Sequence, residues 1–512
     1  MNLKYFFSDA STNTTTISKQ EIILILTILI TAFIIRFYEL GDLGFNNDEA
    51  IYSGQAASLA NYSEYQNQFS IFRAHPLLLQ FLISISFYFF GISEFTARII
   101  PVLLGCGIIV ISYFIAKYLY NRQTAILSSV ILSLLPYHII ISKQVLVDVS
   151  MSFFLTLDLL LIILYYRRPN ILLLYGIGIT TGLCFLSKEI GIISFIISTL
   201  SIIIINRKIK IKNILVVTLH FIFVTSPYWV SFFTLEEARE SILEYIDWQS
   251  SRPANHDSLY YFDILFTDIL GYVLSFLVVI AYLAIIFKKR NWNFRNFVIP
   301  FLWIILPLVF YQIISVKGYH FLFSLTPFLV IFGISILSNQ WIKKLSRNYI
   351  ILISIIPLIL ISNKYIIYEY FLLIPHNPFL GSESLSYMKD AALWIKENTS
   401  NDSTFLTLYT HMSNIIKFYA QRDSIAIQAN NNPSYQKVEN IDMLILGKKI
   451  NYIVYEKIQI NNGKFLENKA LKLEDYVDKY DGIPVYIKYQ NHSNIENTKT
   501  LSEPAIIVYA FN

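Results

Sequence analysis

The stretch Ile22-Ile-Leu-Ile-Leu-Thr-Ile-Leu-Ile-Thr-Ala-Phe-Ile-Ile35, followed after a short link by Gly44-Phe-Asn-Asn-Asp48-Glu49-Ala50, decides the class of this chain. With its flanks the apolar part covers residues 20–37, close to the roughly 20 residues that an α-helix needs to cross a bilayer. The second part then sets two adjacent carboxylates just past a membrane edge. In most proteins such a pair is a solvated loop. Beside a bilayer it also suits chemistry, because a carboxylate there can take a proton from an acceptor while a lipid-borne substrate lies in the adjacent membrane.

Composition agrees with a chain built around a bilayer. Of 512 residues, 55% are hydrophobic and 15% charged, and the mean hydropathy is +0.52. Soluble domains carry about 25% charged residues. The net charge of +5 forms no nucleic-acid patch. The basic residues sit in short clusters between apolar runs, as in polytopic proteins that fix their orientation by loop charge. Cys106 and Cys184 lie inside apolar runs and read as small buried hydrophobes. Polar residues through Glu21 precede the first run without a cleavable signal pattern, so 1–19 is expected to be a cytoplasmic tail and the first span a retained anchor.

Candidate spans follow at 98–118, 124–142, 150–166, 171–187, 190–206, 213–233, 265–287, 297–316, 319–338 and 349–367, within a membrane domain of 20–367. With about 11 transmembrane helices, the clusters at Arg122, Arg167-Arg168, Arg207–Lys212, Lys288–Arg295 and Lys343–Arg347 all fall on the cytoplasmic side. The opposite side receives Asp48-Glu49, Asp148, Lys188-Glu189, the loop 234–264, Lys317 and the C-terminus. The apolar stretch 77–90 is too short to span and is expected to lie in the outer interface, inside a first external loop of 38–97. After about residue 367 the long apolar runs stop. Residues 383–397 have helical spacing, and 404–408, 452–455, 485–487 and 505–511 read as strands. This predicts a soluble extracytoplasmic α/β domain over 368–512. Asn398, Asn401 and Asn491 begin Asn-x-Ser/Thr triplets, which suit an external face.

Ionisable groups at the membrane edge are functional candidates by default. Each also has a plain structural reading. Asp148 enters an apolar helix directly, where the helix dipole favours an acid. Lys188-Glu189 fills a very short turn and can pair at the interface. Arg98 starts a span, His75-Pro76 starts the interfacial helix, and Lys317 stands in the turn Val316-Lys-Gly-Tyr-His320 as an anchor or a ligand group. Together they outline a cavity edge on one face. No Walker loop, dinucleotide-binding glycine loop, HExxH or Cys/His zinc spacing competes.

These segments, in order, resemble a known group. Asp48-Glu-Ala-Ile-Tyr52 is similar to the acidic motif of the protein O-mannosyltransferases and lipid A aminoarabinose transferases. Arg73-Ala-His-Pro-Leu77, Phe90–Arg98, Asp148 before its apolar helix, Gly182–Lys188 and Lys317–Pro327 resemble successive blocks over residues 20–340. The resemblance implies a GT-C fold: a polytopic α-helical membrane protein with a C-terminal α/β domain. It implies a glycosyltransferase that moves a sugar from a polyprenyl (dolichyl or undecaprenyl) phosphate to an extracytoplasmic protein, lipid or glycan. Asp48 then matches the base that activates the acceptor hydroxyl, Glu49 orients the acceptor or the loop, and Asp148 positions acceptor or sugar. Lys188 and Lys317 match cations for the leaving phosphate, and His75, Arg98 and His320 join them as substrate-binding candidates. No covalent nucleophile is marked, so inverting displacement is expected. The implied partners are the lipid-linked donor, the acceptor and membrane lipids, with no nucleic acid. No cofactor is certain, and a divalent metal stays open. Two features depart from the group: Lys317 stands where arginine is frequent and lacks a bidentate fork, and the C-terminal domain does not resemble the β-trefoil insert of eukaryotic O-mannosyltransferases, so protein mannosylation is not specifically supported. The rival reading is a flippase or transporter of lipid-linked sugars without chemistry, for which paired halves with midplane charge are the usual sign. A surface receptor is a third, but leaves the membrane carboxylates unexplained.

Overall fold

The computed structural model describes residues 18–71, 75–206, 209–287, 298–338, 356–359, 361–362, 384–427, 441–456, 473–489 and 504–511. The membrane part begins with α1 (Lys19–Phe37), α2 (Asn47–Leu59), α3 (Ser63–Gln66), α4 (Leu78–Phe90), α5 (Glu94–Leu119) and α6 (Arg122–Leu134). It continues with α7 (Pro136–Ser142), α8 (Val147–Arg167), α9 (Ile171–Ser187), α10 (Ile192–Asn206), α11 (Ile211–Thr234) and α12 (Glu236–Ser251). Among the described residues five helices are long and apolar enough to cross a bilayer, or up to seven if each of two bent pairs is one span. The helices at 171–187, 300–313 and 326–335 are apolar but shorter. Most of the expected span 349–367 lies outside the described residues. The apolar stretch 77–90 forms α4, and the loop 38–97 is largely helical, holding α2, α3 and α4.

Side chains at helix ends set where each span starts. Ser18, Asn121 and Asn170 accept from the first-turn amides of α1, α6 and α9. Ser93 and Thr96 form a reciprocal capping box at α5. The pair α6 and α7 bends by 61° at Pro136. Proline has no N–H for the Leu132 carbonyl, and a bare carbonyl is costly in an apolar interior. Arg36 of α1, fully buried, supplies the donors: Nη2 reaches Leu132 O at 3.3 Å and Nη1 reaches Ser133 O at 3.1 Å. Its Nε donates to Ser142 Oγ at 2.9 Å, so one cation ties α1 to both halves of the bend. Between α9 and α11 contact is close, since a Cβ on Gly178 would stand 2.6 Å from Val217 O. A second bend of 119° falls at Gly271, whose φ of +73° suits glycine.

The two ends of the helices differ in chemistry. One end gathers Glu21 with Lys117 and Tyr113, Arg167 at 5.0 Å over Tyr118, and Asn213 donating to Tyr165 at 2.8 Å. The other gathers Asp48, Glu49, Arg98, Asp148, Lys188 and His320. That separation is the one expected from alternating spans.

The C-terminal part carries a helix at Ser384–Asn398 and a five-stranded sheet, β1 (Thr404–Thr407), β2 (Asp423–Ala426), β3 (Tyr452–Glu456), β4 (Ile483–Tyr489) and β5 (Pro504–Ala510). The strand order is β2-β1-β3-β5-β4. β1 pairs parallel with β2 and β3, while β5 runs antiparallel to β3 and β4. The edge strand β2 was not expected from the sequence: four residues beginning with Asp423 give little alternation to read. Met388, Ala392 and Ile395 are buried, as their spacing predicts. This part shares one apolar core with the first loop, in which Phe45, Tyr65, Phe69 and Phe87 pack together with Phe405, Met412, Ile416 and Phe418.

Glu456 ends β3 with both carboxylate oxygens buried and without hydrogen-bond partners among the described residues. Burial pushes its carboxyl up to about 8. Between its ordinary 4.5 and about 8 the folded chain keeps this proton while the unfolded chain releases it. Stability therefore falls as pH rises through that window, by up to about 1.4 kcal/mol per pH unit from this group. Glu456→Gln is expected to flatten the fall, read as thermal unfolding of variant and parent between pH 5 and 8. An unchanged slope would show that Glu456 is not the group responsible.

Candidate active site

The acidic loop is organised around Glu49. Asn46 caps α2, Asn47 and Asp48 occupy its first two positions, and Glu49 the third. Asn46 Oδ1 accepts from Glu49 N at 3.0 Å, and Glu49 Oε2 accepts from Asn46 N at 3.1 Å, closing a capping box. Arg98 at the start of α5 grips the same carboxylate twice, Nε to Oε1 and Nη2 to Oε2, each at 2.8 Å. Val145 N adds a fourth hydrogen bond at 3.0 Å. Arg98 also donates to the carbonyls of Leu40 (3.1 Å), Leu43 (2.8 Å) and Gly44 (3.0 Å). All five of its N–H groups are thereby used.

These contacts bear on two expectations. Of the two roles expected for Glu49, orienting the acceptor or the loop, they match the loop: it is 0% exposed and accepts four hydrogen bonds. Arg98 is 4% exposed with no donor to spare, so it belongs to the scaffold rather than to substrate. Asp48 is different. It is half-buried and projects from the first turn of α2, where the helix dipole favours its charge. It accepts from Asn47 Nδ2 at 3.1 Å.

Around Asp48 the other expected residues assemble. Asp148 lies in the first turn of α8, 1% exposed, and Lys188 Nζ donates to its two oxygens at 3.0 and 3.1 Å. His320 Nε2 stands 3.7 Å from the same carboxylate, and Lys188 Nζ sits 4.1 Å above the Phe321 ring. The charges of Asp148, Lys188, Asp48 and His75 all act on His320, so these groups lie near one another. Lys188 and Glu189 do not pair with each other. Glu189 turns instead to His75 Nδ1 at 2.7 Å, and His75 Nε2 lies 3.1 Å from the Tyr245 hydroxyl. That hydroxyl accepts from Gln249 Nε2 at 2.6 Å. Lys317 is held by its backbone: Asn255 accepts from its N–H at 2.8 Å and donates to its C=O at 2.9 Å. Its ammonium has no ion-pair partner among the described residues. No group of three or more His, Cys, Asp or Glu that could hold a metal occurs among the described residues.

Sequence reasoning missed Tyr245, Gln249 and Asn255, all from the segment read as a long loop. Glu236–Ser251 is in fact a polar helix with only Ala238 and Ile242 buried, and its charge hides the helical period. It also missed the C-terminal residues that reach the loop. Tyr419 accepts from Phe45 N at 2.9 Å and donates to Glu94 at 2.8 Å, and Asn414 Nδ2 donates to Asn47 Oδ1 at 2.8 Å.

Known proteins share this architecture. Residues 74–230 match the family model of dolichyl-phosphate-mannose-protein mannosyltransferases. The fold is similar to that of ArnT from Cupriavidus metallidurans, with a TM-score of 0.66 at 13% identity over 95% of this chain and 97% of that one. It is also similar to the oligosaccharyltransferase AglB from Archaeoglobus fulgidus, with a TM-score of 0.58 at 14% identity over 92% of this chain and 74% of that one. An uncharacterized protein of Aquifex aeolicus is 24% identical over 335 residues, 63% of this chain and 65% of its own length. A second one is 29% identical over 52% of this chain and 61% of its own length, so the match spans less than two thirds of either relative. At 13 and 14% identity these likenesses show a shared fold, and it is the GT-C fold expected from the sequence. The match at residues 74–230 falls within the membrane part and agrees with the multi-pass class read there.

The clamp makes a stability prediction. Arg98→Met leaves the Glu49 charge buried and unpaired, which costs about 3–5 kcal/mol. Thermal unfolding in detergent should show a large drop for Arg98→Met and a smaller one for the double variant Arg98→Met/Glu49→Leu. Additive losses would mean that the two side chains do not act as a pair.

Proposed function

We propose that this protein moves a sugar from a polyprenyl phosphate to an acceptor on the extracytoplasmic side, with Asp48 as general base. The observation that carries the reading is the contrast inside the acidic pair: Glu49 is consumed by Arg98, while Asp48 is half-buried and held by a single amide among the described residues. ArnT from Cupriavidus metallidurans has been solved bound to undecaprenyl phosphate, and AglB in complex with dolichol-phosphate and an inhibitory peptide, which supports a lipid phosphate as the donor's carrier.

In the proposed step, Asp48 accepts the acceptor's hydroxyl proton as the hydroxyl oxygen bonds to the anomeric carbon. The bond from that carbon to the phosphate oxygen breaks, and the phosphate leaves with the electron pair. A single displacement inverts the anomeric centre. Negative charge grows on the phosphate, and a fixed cation in a water-poor cleft stabilises it. Lys317 suits this task because no acid neutralises it among the described residues. Lys188 is already matched by Asp148, so this pair orients His320 and the cleft wall and adds little net charge. His75 and Tyr245 bring the α12 segment to the same edge.

Asp48→Asn keeps the size of the side chain but removes its basicity. Transfer from a panel of undecaprenyl- and dolichyl-phosphate hexoses should fall by about 10²- to 10⁴-fold with donor binding retained. Lys317→Glu should weaken donor use by about 10- to 150-fold, as expected for one charge-assisted contact. Near-parental transfer by Asp48→Asn, or a product that keeps the donor's anomeric configuration, would overturn the mechanism.

The proposed sidedness has its own test. With the N-terminus cytoplasmic, a cysteine at Ser258 should react with an impermeant thiol reagent in intact cells and a cysteine at Lys210 should not. Both positions are exposed, and the native Cys106 and Cys184 are buried. The reverse pattern would put Asp48 on the cytoplasmic face and remove the extracytoplasmic acceptor.

A further inference from the structure

The C-terminal part reaches the proposed base through one chain of hydrogen bonds. The helix Thr410–Ile415 follows β1 and presses against α2. Its Asn414, fully buried, donates from Nδ2 to Asn47 Oδ1 at 2.8 Å. Asn47 donates from Nδ2 to Asp48 Oδ1 at 3.1 Å. The polarity of this chain is set at its Asp48 end. An ionised carboxylate only accepts, so Asn47 must turn its NH2 toward Asp48 and its carbonyl oxygen toward Asn414. Asn414 in turn must present NH2. We infer that Asn414 is a positioning residue for the catalytic step: the C-terminal part fixes the Asn47 amide and thereby aims the Asp48 carboxylate.

This inference rests on Asp48 being the base. Other groups near Asp48 are compatible with it. His411, one turn before Asn414, feels the Asp48 charge. Burial nevertheless holds its imidazole down at about 4, so it stays neutral at pH 7 and does not substitute for Asn47 as a charged donor. Tyr245 and Arg252 of the α12 segment, Tyr319 and His320 of the late block, and Tyr52 of α2 itself also lie within the field of Asp48. None of these is hydrogen-bonded to it among the described residues, whereas Asn47 is. A fixed donor holds the carboxylate it bonds in one orientation, so losing the relay frees the Asp48 side chain to turn away from an acceptor.

The test separates aim from stability. Transfer from undecaprenyl- and dolichyl-phosphate hexoses is measured on full-length protein in lipid nanodiscs, with donor binding and thermal unfolding read beside it. Asn414→Ala and Asn47→Ala should each lower kcat by about 10-fold, the scale of one hydrogen bond, with donor KM unchanged. The double variant should lose no more than Asn47→Ala alone, because Asn414 reaches Asp48 through Asn47. Gln68→Ala breaks a different contact between the same two parts, Gln68 Nε2 to Asp423 Oδ1 at 2.6 Å, and should leave kcat in place. An unchanged kcat in Asn414→Ala, an additive loss in the double variant, or an equal loss in Gln68→Ala would each overturn the relay. The base reading fails separately, on the activity of Asp48→Asn.

Discussion

The site depends on one buried contact, the two-pronged grip of Arg98 on Glu49. A loop of irregular backbone runs from the end of α1 to the start of α2, and three of its carbonyls would face an apolar interior. Arg98 satisfies those carbonyls and both carboxylate oxygens at once. Such a pair is weak evidence for stability, because removing two charges from water is expensive. Its effect is placement. With Glu49 pinned to α5 and to Val145 N, the third residue of α2 is fixed, and the helix period then fixes Asp48 one residue earlier, pointing elsewhere. The acidic pair works because its members have opposite fates.

The same logic runs through the rest of the edge. Three acids meet three bases: Glu49 with Arg98, Asp148 with Lys188, and Glu189 with His75. Each pair joins segments distant in sequence and leaves little charge for a substrate. Asp48, on an amide alone, and Lys317, gripped only by its backbone, stand outside this pairing among the described residues. One acid and one base are what displacement at a sugar phosphate calls for. In the proposed step the carboxylate takes the incoming proton and the ammonium meets the departing charge.

Hydropathy made the membrane part legible, since a run of apolar residues long enough to span leaves few alternatives. Loop charges gave a consistent order of sides, and Asp48, Asp148, Lys188 and His320 do meet at one edge. Local sequence could not tell ligands from struts. Arg98 looked like a substrate group, and Glu49 could hold either an acceptor or the loop, because nothing near either one announces a partner 49 positions away. The bends at Pro136 and Gly271 were hidden inside continuous apolar runs, because such runs read alike whether the helix is straight or broken. In the C-terminal part the helix and four strands followed their periods. β2 is too short and too polar at its start to do so, and the polar helix Glu236–Ser251 has too small a buried face.

The C-terminal part is more than an appended module. Its apolar residues and those of the first loop form one core, so neither surface is complete without the other. Two successive stretches after β1 make the contact: Asn414 meets Asn47 next to Asp48, and Tyr419 bridges Phe45 and Glu94. The acidic loop is therefore held from two directions, by Arg98 on the membrane side and by Asn414 and Tyr419 on the opposite side. A half-buried carboxylate between two rigid supports can be open to solvent without losing its aim, and preorganisation of this kind is what the proposed general base calls for.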